Sequence, residues 1–484
     1  MRRGWLRGSV GLMTVIALAG CPTGAEAVDV RSAAQSEKET ASPLAERLRA
    51  TIDRLRFEEV LDTAPPGTAQ AGALRTPVDK EATQSPRLRA RRYAAAADPE
   101  PIVQQPQMDA TIIELDRKGR PVSSGTVLMS PLYKDGVVVP VDRNLSTTSV
   151  RWRQWDDAGW YADKGQGSID VVAGRENAPL DHMLNYPASV LKLMVNFGVL
   201  RLVDQGEIGL DDTFDYRPTS DSSVSLCGTA ASKTVRQYMD ESLTWSSNPA
   251  SCALVKLLHE HNAIDPLNQT FQDLGLETLQ LKGTNPATGG RWSNSITMSS
   301  LDTAKLLTLI NGAPGRVWTA PNGKPVTSDG VLSAASRAFF LSKLRQQGFN
   351  DMLSTGNWCG GTYPAPGIPS TVASRWIGAD GTVTVAGNKF GRDVRPCNAK
   401  AQVSFAHKTG WVNNTAADAG IVRALPGKGG RHYIIVVFSN LGTQYIDANR
   451  PDTPAGIYPF SYTEKFAQLG RAMDTYMAKR AERN

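Results

Sequence analysis

Apolar and polar positions along the chain fall into three regimes. Short β-branched runs come first, at residues 110–116 (ATIIELD), 136–141 (GVVVPV) and 168–173 (SIDVVA), and predict strands. From Pro187 the spacing turns helical, and the run to Gly206 predicts a buried helix that the proline starts and the glycine stops. Further helices are predicted over 234–243, 249–261, 299–310 and 335–347. Strands return at 418–424 and 432–440 around a PGKGG turn, and 462–480 predicts a closing helix. Strands first, helices in the middle, strands and a helix last: this order predicts an α+β fold. Its antiparallel sheet, assembled from both chain ends, would sit beside an all-helical subdomain.

The N-terminal residues follow a different pattern. Arg2, Arg3 and Arg7 precede an apolar run over 10–19 that is too short for a stable membrane span, the layout of a secretory signal. The run ends in Leu18-Ala19-Gly20-Cys21, which resembles a bacterial lipobox with Cys21 as the lipidated residue; Ala25-Glu26-Ala27 offers an ordinary cleavage site instead. Residues 22–105 are rich in Ala, Pro, Thr, Glu and Arg with few aromatics, and predict a mostly disordered tether. One amphipathic piece within it, 43–61, predicts a short helix. The expected organisation is a signal peptide over 1–21, the tether over 22–105 and a folded domain over 106–484.

Composition adds little beyond this. The 484 residues are 41% hydrophobic and 21% charged, a globular balance. The net charge of +6 includes arginines of the leader and of the run Arg87, Arg89, Arg91, Arg92, and is no nucleic-acid signature. Of five cysteines, Cys21 goes to the lipid. Cys227, Cys252, Cys359 and Cys397 remain, an even set suited to an oxidising compartment. Loop closure favours the sequence-local pairing Cys227–Cys252 with Cys359–Cys397, against buried free thiols.

One residue breaks the helical pattern. Lys192 sits inside a run of Val, Leu, Met and Phe, although lysine is almost never buried without a partner. Either its stem carries the charge out to solvent, or burial is wanted because it weakens the amine's hold on its proton. Ser189 lies three residues earlier, one turn away on the same face. This is the chain's only Ser-x-x-Lys; Ser246-Ser247-Asn248 is its only Ser-x-Asn, and Lys408-Thr409-Gly410 its only Lys-Thr-Gly. Each triplet is weak by itself, but three unique ones in this order form a strong signal.

With these motifs the chain resembles the penicillin-recognising serine enzymes, class A β-lactamases and penicillin-binding peptidases, from about Met108 to the C-terminus. The resemblance implies a five-stranded antiparallel sheet beside helices, with the site at their junction. It implies Ser189 as nucleophile, Lys192 as its base, Ser246 as proton relay and Asn248 as the residue holding Lys192 and the substrate amide. It also implies substrate-carboxylate binding by Lys408 and Thr409, close substrate approach at Gly410, and an oxyanion hole from the backbone N–H groups of Ser189 and Trp411. Ser246-Ser247-Asn248-Pro249 also suits an ordinary helix start, and His407 reads as a packed strand-end histidine.

The chain departs from class A in one respect that matters. Those enzymes release the acyl group with a loop glutamate, yet residues 278–301 contain no Asp or Glu. Asn285 stands near the expected place and cannot take a proton from water; Glu277 and Asp302 only flank the loop. A second departure is extra length over 311–408, which holds Cys359 and Cys397. No metal is expected, since His259-Glu260-His261 lacks ligand spacing on one helical face, and no cofactor. The sequence therefore predicts an exported serine hydrolase, monomeric and held to the membrane by lipid. Its substrate would be a β-lactam or a peptidoglycan stem peptide. The alternatives are a penicillin-sensitive D-alanyl-D-alanine peptidase, or a non-catalytic binding lipoprotein that keeps the fold.

Overall fold

The computed structural model describes residues 42–62, 106–156, 168–219, 224–359, 365–412, 414–442, 445–447 and 461–483. The expected leader with Cys21, and the tether apart from residues 42–62, lie outside these. Helix α1 (Pro43–Leu55) begins the described chain. Leu44, Leu48 and Ile52 recur every fourth residue, so one face is apolar while Arg47, Arg49 and Arg54 take the others. Ser42 caps its start, accepting from the Ala45 amide at 3.1 Å.

This helix corrects the expected domain boundary, because it is part of the fold rather than of a tether. Its apolar stripe is fully buried, and Gly125 of the neighbouring strand lets it approach so closely that a Cβ there would meet the Ala45 backbone at 2.6 Å. The arginine-rich surface face hid this from the composition. Leu48→Ala is expected to cost about 2–5 kcal/mol, the range for emptying a packed leucine site, and denaturant unfolding measures it. A loss below about 0.5 kcal/mol, the usual size for surface positions, would mean the helix is not docked in solution.

Six strands make one antiparallel sheet: β1 (Met108–Leu115), β2 (Pro121–Ser130), β3 (Tyr133–Val139), β4 (Val403–Val412), β5 (Thr415–Ala424) and β6 (His432–Ser439). Their spatial order is β4-β5-β6-β1-β2-β3, so the two chain ends meet where Val437 pairs with Ala110. The expected five strands become six through the β2–β3 hairpin. Both β2 and β4 lacked a strand pattern in the sequence. The first opens on Pro-Val-Ser-Ser-Gly, and the second spends its middle on His407, Lys408, Thr409 and Gly410, which break any hydrophobic alternation.

The sheet separates two cores. Ile112, Ile435 and Val437 point to α1 and the closing helix α8 (Ser461–Ala481) and pack with Leu48, Ile52, Phe466 and Met473. Ile113, Ile434 and Val436 point the other way, into the helical part. That part holds α2 (Lys192–Gln205), α3 (Val235–Thr244), α4 (Asn248–Glu260), α5 (Ile264–Asp273), α6 (Ser300–Asn311) and α7 (Ala334–Leu344), and its core includes Phe197, Leu254, Phe271 and Leu307. The extra length after α7 has a core of its own, with Trp358, Val372, Val383, Val385, Phe390 and Val394. Disulfides join Cys227 to Cys252 and Cys359 to Cys397.

Candidate active site

The segment carrying Ser189 is short and strained. Pro187 leads into a 3₁₀ turn, Ala188–Leu191, that passes directly into α2 at Lys192. Ala188 has φ 46°, a left-handed conformation that costs a non-glycine residue energy and persists only where surrounding structure enforces it. Ser189 is half-buried at the head of the helix, where the positive end of the helix dipole favours a developing oxyanion.

Lys192, in contrast, is fully buried and does not reach solvent. Its Nζ lies 3.2 Å from Ser189 Oγ, 2.6 Å from the Ser246 carbonyl, 3.1 Å from Ser246 Oγ and 2.7 Å from Asn248 Oδ1. The two shortest contacts go to oxygens that only accept, so they engage two N–H groups. The next position on nitrogen faces the two serine hydroxyls. In a neutral amine that position is a lone pair directed at those hydroxyls.

Ser246 lies between two lysines. Lys408 Nζ donates to Ser246 Oγ at 2.9 Å and to its own neighbour's carbonyl, Thr409 O, at 2.8 Å. Lys408 is fully buried, and burial pushes its amine down to about 7 although Asp418 and Asp351 pull the other way. Ser246 holds φ 65°. It is not the helix cap; Ser247 is, accepting from the Ala250 amide at 3.2 Å, with Pro249 in the first turn. The Ser-x-Asn segment thus divides its work: Ser247 starts the helix, and Ser246 and Asn248 turn to the lysine.

Lys408-Thr409-Gly410 lies within β4, pairing with Ala419, Asp418 and Ala417. Gly410 faces the turn that carries Ser189, where a Cβ would sit 2.9 Å from Pro187 O and 3.0 Å from the Ser189 amide nitrogen. Only glycine leaves that amide unobstructed. His407 is packed in mid-strand, not at a strand end.

The acid-free loop packs on α4. A Cβ on Gly289 would fall 1.9 Å from Cys252 O, and one on Gly290 would fall 2.7 Å from Cys227 Sγ, so the glycine pair seats the loop against the disulfide. Asn285 closes a turn there, its Oδ1 accepting from the Ala287 amide at 2.8 Å. Both flanking carboxylates are engaged elsewhere: Glu277 pairs with Arg175 at 3.4 Å, and Asp302 accepts from the Thr278 amide at 2.9 Å and its hydroxyl at 2.6 Å. The loop instead sends Trp292 toward the site, with Lys192 Nζ 5.6 Å from its ring centroid. Sequence reasoning missed this residue, whose one signal was being the sole aromatic between 278 and 301. It also missed Gln347, whose Nε2 donates to Leu243 O at 3.0 Å and His407 O at 3.3 Å and so ties the end of α3 to β4. His259 and His261 diverge, toward Thr284 and Glu207.

A family model described as the beta-lactamase enzyme family matches residues 181–455, more than half of the chain and all three motifs. The chain belongs to that family. This beta-lactamase-family protein returned no match among curated proteins. Among solved structures it is similar to PBP-A at 19% identity, over 66% of this chain and 87% of that one, with a TM-score of 0.38. It is also similar to a beta-lactamase from Sphaerobacter thermophilus at 13% identity, covering 76% and 90%, TM-score 0.38. L2 complexed with relebactam matches at 13% identity, covering 83% and 99%, TM-score 0.39. None of these three likenesses bears on the chemistry of the site.

Proposed function

We propose that this beta-lactamase-family protein is an active-serine hydrolase, acylated at Ser189 by β-lactams or D-Ala-D-Ala-like amides, that opens β-lactams and releases the product slowly. The observation that carries this is the buried Lys192, whose Nζ is 3.2 Å from Ser189 Oγ and is held by Ser246 and Asn248. Lys192 takes the Ser189 proton as the oxygen attacks the carbonyl carbon. Ser246, bridging Lys192 and Lys408, passes a proton to the departing nitrogen. Lys408 and Thr409 bind the substrate carboxylate, and the amides of Ser189 and Trp411 stabilise the oxyanion. A binding protein that merely kept the fold would have no need of this assembly.

Deacylation lacks a general base in the loop, and Asn285, Glu277 and Asp302 do not replace it. This favours a second reading, a penicillin-sensitive D-alanyl-D-alanine peptidase. A chromogenic β-lactam separates the readings. The expected course is a burst of about one equivalent, followed by release slower by roughly 10²-fold or more than the burst, as fits loss of base catalysis. Rapid sustained turnover would instead require a deacylating base. Turnover of a D-alanyl-D-alanine peptide under conditions where the β-lactam stalls selects the peptidase, and no reaction with either removes the enzyme.

Export and lipid anchoring at Cys21 belong to the same proposal. The two disulfides suit an oxidising compartment, and the charged-then-apolar leader supplies the route.

A further inference from the structure

Behind Lys408 the sheet holds a buried polar cluster that the steps above leave unused. Successive side chains of β4 alternate in direction, so His407 leaves the face opposite Lys408. Asp418 pairs in register with Thr409 and therefore shares the face of His407. The imidazole stacks on Phe405 with centroids 3.9 Å apart, and Gly420 makes room for it, since a Cβ there would be 2.3 Å from His407 Cβ. Its Nδ1 lies 2.8 Å from Asp418 Oδ1 and its Nε2 3.1 Å from Asn350 Oδ1. Asn350 Nδ2 donates to Gln347 O at 3.0 Å, which turns the amide oxygen toward the ring. Both ring nitrogens thus face oxygens, an arrangement that an imidazolium donating to a carboxylate on one side and to the amide oxygen on the other completes.

The surrounding charges are few. Asp351 is buried after α7, and burial together with Asp418 raises its carboxyl to about 7. Asp418 and Asp351 both support the charge on Lys408. Lys192 and Lys408 share the Ser246 hydroxyl, Lys343 of α7 pairs with Asp240, and Arg423 lies at the far end of the strands opposite Ser404, near Arg345.

We propose that His407 and Asp418 form a positioning pair for Lys408, the buried imidazolium balancing the carboxylate and so governing how firmly Lys408 keeps the charge that holds the substrate. The inference rests on Lys408 as the carboxylate-binding residue. Removing the positive partner leaves Asp418 uncompensated and should keep Lys408 protonated to higher pH; removing the negative partner should do the reverse.

The test is the pH profile of acylation by penicillin. The wild-type profile should fall on its alkaline side near pH 7, where burial places Lys408. His407→Asn should move that limb up by roughly one pH unit and Asp418→Asn should move it down by about as much, as for gain or loss of a nearby charge. Limbs that stay put, or move the same way in both variants, overturn the pair. A second measurement needs no substrate: ¹⁵N spectra of histidine-labelled protein, with the His407 signal assigned by its loss in His407→Asn. Two protonated ring nitrogens at pH 6 support the pair even if acylation fails, and a bare Nδ1 overturns it.

Discussion

Replacing Ser189 with alanine is expected to abolish covalent labelling by penicillin, the largest effect of any single change here. The substitution removes one oxygen from a half-buried turn and leaves Ser246 and Asn248 holding Lys192. Reversible binding through Lys408 and Thr409 should survive, so penicillin should still raise the melting temperature while the intact mass stays unchanged. Labelling that persists in Ser189→Ala would move the nucleophile elsewhere. The contrast between retained binding and lost adduct separates a missing nucleophile from a misfolded protein.

Lys192→Met is expected to slow acylation by about 10²–10⁴-fold, the usual worth of a positioned proton acceptor. Methionine is unbranched and apolar, so it can fill the space of a fully buried lysine stem while deleting the amine. The Ser246 carbonyl and Asn248 Oδ1 each lose a donor, at about 1–3 kcal/mol where water does not replace it. Apolar replacement of a buried amine offsets part of this. Thermal melting therefore checks that the fold persists, and pre-steady-state labelling reads the chemistry. Acylation at the wild-type rate in a folded Lys192→Met protein would strip the lysine of its role as base.

Several features were legible before the structure. The helices over 248–260 and 300–311 lie within a residue or two of their predicted ends because Pro249, Ser299 and the apolar spacing are local signals. Strands 432–439 and 108–115 announced themselves through β-branched runs. Strand β4 did not, because the run His407, Lys408, Thr409, Gly410 at its middle leaves no hydrophobic alternation to read. Helix α1 was visible as an amphipathic piece, but its membership in the domain depends on Gly125, which lies 70 positions beyond the last residue of the helix.

The chain order of Ser189, Lys192, Ser246, Asn248 and Lys408 was by itself enough to single these residues out as the candidate site and to suggest the family, since spacing along a helix and residue type are local properties. It also showed that residues 278–301 hold no acid. Tertiary structure alone decided that Lys192 is sealed from water, that Ser246 bridges two lysines, that Trp292 stands over the amine and that His407 meets Asp418 behind Lys408. Burial and hydrogen-bond pairing between residues dozens of positions apart arise from packing, which no local pattern encodes.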